Sequence, residues 1–175
     1  MKKLAVISFL MILFGNTYSQ PEYFAFEKGE FQYGYKVWIF SDSTYLYPSA
    51  GGKGGEPLQK LYRGDKLEIV SVSALESAWN DIVINWYRVK LSDGEKELTG
   101  FVKGTDLAVA GKEMFGGGAK HLILMRFSGM APSGAYKAEM VAMTNGKLVD
   151  TVNFQCIDHP LNRGKVDYSI ALSKE

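Results

Sequence analysis

Apolar residues along this chain alternate with polar ones in short runs between turn signals, and no stretch sustains a 3.6-residue period over three turns. The pattern predicts an all-β protein with little helix. The predicted strands are Lys36 to Phe40, Lys66 to Ser73, Trp86 to Leu91, Thr99 to Lys103, His121 to Ser128, Tyr136 to Thr144, Leu148 to Cys156 and Asp167 to Ser173. In the first half, Leu67 and Ile69 on one strand and Tyr87, Val89 and Leu91 on another form two period-2 apolar sets, the interior of a small barrel. Gly64 supplies the turn before the first set, and Asp93-Gly94 the turn after the second. With Val89 inward, Trp86, Arg88 and Lys90 fall on the opposite face, which sets Trp86 at the barrel's rim, at least partly in solvent. Between these strands Ser71 to Asn85 reads as a long loop carrying Trp79 and an apolar Ile82-Val83-Ile84 stretch, and long loops often form binding surfaces.

In the second half, Thr144-Asn145-Gly146-Lys147 joins two runs of similar length. Asn-Gly accepts the positive φ angles of a two-residue type I′ hairpin. Neither face of the two arms is cleanly polar, so the sheet wants cover on both sides, from the first domain or from strands of another source. The last strand runs into Ser173-Lys174-Glu175, which leaves the sheet to be completed by a partner or by further residues. The Gly116-Gly117-Gly118 run makes residues 110–120 read as a Gly-rich linker. The predicted organisation is a leader at 1–19, an N-terminal segment at 20–34, a barrel at 35–109, the linker, and an antiparallel sheet domain at 121–175.

The leader changes the picture most. Met1-Lys2-Lys3 precedes an apolar run from Leu4 to Phe14, and the small residues Thr17 and Ser19 then favour a cut before Gln20, the layout of a secretory signal peptide. Eleven residues at about 1.5 Å rise cover only about half of a hydrocarbon core, so no membrane span is predicted. The expectation is an exported protein, periplasmic or extracellular. Removing Lys2 and Lys3 leaves 18 basic against 19 acidic side chains, no field for holding a polyphosphate backbone, so nucleic acid is not an expected partner. Cys156 is the single cysteine, so stability must come from packing and not from an internal disulfide.

Candidate chemistry is sparse. Cys156 and His159 are the one pair suggesting thiol catalysis, but Cys156 ends a strand and Pro160 puts His159 in a turn, away from the helix terminus or cation that would stabilise a thiolate. His121, His159, Cys156 and Asp158 lack the paired spacing of a zinc site. Arg63-Gly64-Asp65 spells an adhesion tripeptide where a turn is needed, and reads as that turn. The runs Gly51 to Gly55 and Gly116 to Gly118 lack the Lys-Ser/Thr tail of a phosphate loop. Met125, Met130, Met140 and Met143 read as core filling. No catalytic residue, metal ligand or cofactor is expected.

Four stretches carry a resemblance. They are Tyr45-Leu46-Tyr47-Pro48, the segment from Leu58 through Arg63-Gly64-Asp65 to Ile69, Trp86-Tyr87-Arg88-Val89-Lys90-Leu91, and Gly100-Phe101-Val102 followed by Leu107. In order and spacing the chain from Tyr35 to Leu107 resembles the bacterial SH3-like domain, a small barrel common in exported cell-wall proteins. It departs from that pattern in having Tyr47 where an Arg is usual and in the length of Ser71 to Asn85. The resemblance implies an aromatic-lined groove that holds a peptide, with Tyr45, Tyr47, Trp79 and Trp86 as the binding residues. The expected partner is a peptide, such as that of cell-wall peptidoglycan, or, in the alternative of a structural or assembly protein, another envelope protein.

Overall fold

A computed structural model of the chain describes residues 26–27, 30–80, 82–93, 96–132, 136–156 and 170–171. The expected leader, Gly94, Asp158, His159 and most of the last predicted strand lie outside these residues. The strands are β1 (Phe26–Glu27), β2 (Glu30–Phe31), β3 (Lys36–Trp38), β4 (Ser43–Leu46), β5 (Gln59–Tyr62), β6 (Lys66–Trp79), β7 (Ile82–Asp93), β8 (Lys96–Lys103), β9 (Ala110–Gly116), β10 (Ala119–Met130), β11 (Tyr136–Thr144), β12 (Lys147–Cys156) and β13 (Ile170–Ala171). No α-helix occurs among the described residues, which form an all-β protein of antiparallel sheets. No helix among them is long and apolar enough to cross a membrane.

The first half is a four-stranded sheet, β3-β6-β7-β8, closed with the help of the β4-β5 ribbon. Leu67 pairs with Leu91 and Ile69 with Val89, and Tyr87 pairs with Val102, so the period-2 apolar sets meet across the ladder as expected. All six are buried. The two edges of the sheet then meet: Ile39, just past β3, bridges Leu107, which follows β8 after the 3-10 turn Gly104–Asp106, while Tyr47, just past β4, bridges Phe101 on β8. Phe31 completes the interior, its ring edge-on to Tyr87 at 5.1 Å and its N–H donating to the Tyr87 hydroxyl at 3.1 Å.

Two expectations about this half and its neighbour are corrected. The stretch Ser71 to Asn85 is not a loop but the long arm of the β6-β7 hairpin. Bulges between Ile69 and Ser71 and between Val72 and Glu76 break the alternation there, which hides the strand from a period-2 reading. Polar side chains hold the bulged backbone: the Ser77 hydroxyl donates to the Ile84 carbonyl at 2.7 Å and the Asn85 amide to the Ser73 carbonyl at 2.8 Å. Residues 110–120 are not a linker but β9, a turn and the start of β10. Gly116 pairs with Ala119, and Gly117 and Gly118 between them take φ of 58° and 74°, so the glycines are spent on a tight hairpin.

The second half is a five-stranded sheet in the order β13-β12-β11-β10-β9. Asn145 and Gly146 take φ of 49° and 77° between paired Thr144 and Lys147, as the Asn-Gly signal predicts. With no flexible linker, the sheet lies directly against the barrel. Leu122 and Leu124 on β10 and Val141 and Met143 on β11 share a buried cluster with Trp38, Phe40 and Ala108. Gly111, opposite Leu124, permits this approach, because a Cβ there would stand 2.6 Å from the Trp38 ring. The Lys66 ammonium lies over the same indole, 4.9 Å from the ring centre, and reaches Glu113 on β9 at 3.6 Å.

Candidate functional site: an aromatic strip on the barrel

The strip begins on β4. Thr44 and Leu46 are buried, so Tyr45 and Tyr47 project from the outer face. Tyr47 is locked to β8 by a reciprocal pair of hydrogen bonds, its N–H donating to the Phe101 carbonyl at 2.9 Å and the Phe101 N–H to the Tyr47 carbonyl at 2.8 Å. The three rings form a chain of edge contacts: Tyr45 to Tyr47 at 6.2 Å and 61°, then Tyr47 to Trp86 at 5.7 Å and 67°. Such tilted pairs set the positive edge of one ring against the negative face of the next. Tyr62, on β5 and mostly exposed, extends the aromatic surface beyond Tyr45, with the Lys60 ammonium over its ring at 5.3 Å.

Trp86 does not stand at the rim as expected; only 5% of it is exposed. Its direction, away from Tyr87, is the one the alternation predicts, and it pairs with the exposed Lys103 on the outer face. That side is not solvent, however. Tyr47 covers the indole, and the 3-10 turn Ala50–Gly52 packs on β6, β7 and β8. The buried set along β7 also passes from Ile82 and Ile84 to Tyr87, Val89 and Leu91, so the strand changes phase at this position. Trp86 therefore backs the strip, and Tyr45 and Tyr47 display it. In the adjoining loop the Gly52 backbone lies against the Tyr47 ring, a Cβ there standing 3.4 Å from it, and the buried Ser49 hydroxyl has no hydrogen-bond partner among the described residues.

Trp79 belongs to a different place. It lies at the end of β6, where the Arg126 guanidinium from β10 sits 4.1 Å from its ring and 4.5 Å from that of Phe40. Arg126 also donates from Nε and Nη2 to the Glu139 carboxylate at 3.1 and 3.0 Å. Trp79 is thus part of the seam between barrel and sheet, not of the strip. Phe101 is the strip residue that sequence reasoning missed. Its signal was present in Gly100-Phe101-Val102, where an inward Val102 forces the ring outward.

The other chemical candidates resolve locally. Arg63 is not displayed: its Nε donates to the Phe40 carbonyl and its Nη2 meets Asp42, both at 2.7 Å, while Asp65 accepts the Tyr62 N–H at 2.8 Å. The tripeptide is a turn. His121 has its ring nitrogens 3.1 Å from the Thr144 hydroxyl and 3.2 Å from the Gly116 carbonyl, so the Nε2 side carries the proton toward the carbonyl. Among the described residues no group of three His, Cys, Asp or Glu side chains is placed to hold a metal ion. Cys156 ends β12 with its backbone paired to Ile170.

Compared with protein-family models, with curated proteins and with solved structures, the chain matches none.

Proposed function

We propose that the chain is a non-catalytic exported protein whose SH3-like barrel binds a peptide, with the peptide part of the cell wall as the ligand class. The reading is supported by one observation above the rest: Tyr45, Tyr47 and Trp86 make a continuous series of ring contacts on the outer face of the barrel, with Phe101 and Tyr62 beside it. Rings of this kind offer flat apolar area at low entropic cost and polar tips for backbone groups, which suits an extended peptide without demanding a fixed sequence. The mechanism is complementarity, with no covalent step. Export to the periplasm or beyond follows from the leader pattern and belongs to the same proposal.

Retention of the mature protein on purified cell-wall sacculi tests it. The wild type is expected to sediment with the sacculi, and the Tyr45→Ala, Tyr47→Ala double variant to stay in the supernatant. Wild-type protein that stays in solution, or a double variant retained as well as wild type, overturns the reading. A second reading, an envelope assembly protein, draws on Leu148 and Val149, both more than half exposed on β12. It expects Leu148→Ser with Val149→Ser, and not the tyrosine pair, to remove cross-links to another envelope protein.

A further inference from the structure

The outer face of the barrel sorts its cations into two groups. At one end of the sheet charge is cancelled: Lys36 meets Glu68 at 2.9 Å and Lys90 meets Glu97 at 2.7 Å. Nearer the strip the pattern changes. Arg88, Lys103 and Lys60 are exposed, and none has an acid within ion-pair distance among the described residues. No Asp or Glu occurs in β4, in β5, in β7 from Trp86 to Lys90, or in β8 from Thr99 to Lys103. The register then sets each cation directly opposite a ring of the strip: Arg88 opposite Phe101, Lys103 opposite Trp86, and Lys60 opposite Tyr45. Directly opposed residues share a face, so cations and rings alternate across four strands of one surface.

Resting on the peptide reading above, we propose that this surface selects an extended peptide carrying carboxylates, whose backbone lies along the tyrosine rings while Arg88, Lys103 and Lys60 take its acidic groups. The Arg88 guanidinium offers a planar fork for a carboxylate, and the two ammoniums act as point charges. Unneutralised cations beside apolar rings are what a carboxylate-bearing chain complements and a neutral one does not. A single-stranded nucleic acid would use the same charges but needs free ring faces for its bases. Here Trp86 is buried and the tyrosines are tilted against each other, so stacking faces are short.

The test uses the mature chain and two fluorescein-labelled, end-blocked octapeptides of Gly and Ala, one with three Glu and one with three Gln at the same positions, read by anisotropy. The Glu peptide is expected to bind about tenfold more tightly than the Gln peptide at low salt, and to lose that advantage at high salt. Arg88→Gln with Lys103→Gln, both exposed positions, should bring the Glu peptide to the Gln peptide's affinity and leave the latter unchanged. Equal binding of both peptides to the wild type, or a double variant that still prefers Glu, overturns the charge inference and leaves the peptide reading standing. Binding of neither peptide, or tighter binding of a labelled oligothymidine of the same length, overturns both.

Discussion

Arg126 carries the sharpest test of how the two halves are joined. Its guanidinium lies between the rings of Phe40 and Trp79 at 4.5 and 4.1 Å, and it places two hydrogen bonds on one oxygen of Glu139. The two charged side chains are 16% and 19% exposed. Replacing Arg126 by Met keeps a flexible stem between the rings and removes the charge. Each cation–π contact is worth about 0.5 to 2 kcal/mol. Breaking a fully buried ion pair costs about 3 to 5 kcal/mol, a figure to be discounted here because water still reaches both groups. A net loss of about 2 to 4 kcal/mol follows, or about 5 to 12 °C in Tm for a chain of this size. Urea unfolding followed by far-UV circular dichroism should show a lower midpoint with an unchanged slope. Much of the cost is the stranded Glu139 carboxylate, so Arg126→Met with Glu139→Gln should recover about half of it. The reasoning fails if Arg126→Met costs less than about 0.5 kcal/mol, or if the double variant is less stable than the single one.

Two further outcomes follow from buried or seam groups. Tyr87→Phe keeps the fully buried ring but removes the acceptor of the Phe31 N–H, which should cost about 1 to 2 kcal/mol and speed hydrogen exchange at the Phe31 amide; an unchanged exchange rate would contradict the bond. Burial pushes the Glu113 carboxyl up, yet the Lys120 and Lys66 ammoniums at 3.0 and 3.6 Å outweigh it and hold the group below its usual 4.5. A lowered folded pKa gives stability that is present above pH 4.5 and lost as pH falls through the folded value. Urea midpoints measured from pH 7 to pH 3 should therefore fall less steeply for Glu113→Gln than for the wild type, and parallel slopes would refute the assignment.

Much of the fold was legible because burial and period agree where strands are regular. Leu67, Ile69, Tyr87 and Val89 stand where alternation puts them, and Asn145-Gly146 makes the turn its φ angles permit. What failed did so where one signal has two physical causes. Consecutive glycines raise the entropy of a linker, but they also supply the positive φ of a two-residue hairpin, and Gly117 and Gly118, between paired Gly116 and Ala119, are used in the second way. A run such as Ser71 to Ser77 looks irregular from sequence because two bulges shift its phase, while the hydrogen bonds that repair them come from Ser77 and Asn85. Alternation sets Trp86 on the face opposite Tyr87, but it reports direction and not depth, and the covering Tyr47 and Ala50–Gly52 turn are remote in the pattern. Trp79 needed a partner from β10 that no local reading supplies.

The charge on the barrel shows the same limit in a form that bears on function. A near-zero net charge excludes a long-range field over the whole molecule, and nothing in the structure alters that. A ligand, however, meets a surface a few residues wide, within one Debye length of about 10 Å. Over that distance what counts is which cations already have partners. Lys36, Arg63, Lys66, Lys90, Lys120 and Arg126 hold acids that the fold brings to them from other strands or turns. Arg88, Lys103 and Lys60 stand instead opposite aromatic rings. The pairing register, which depends on the hairpins and bulges, is thus what converts a neutral sum into a locally positive aromatic surface. A variant that slipped the β7-β8 register by one residue would keep the composition and lose that surface.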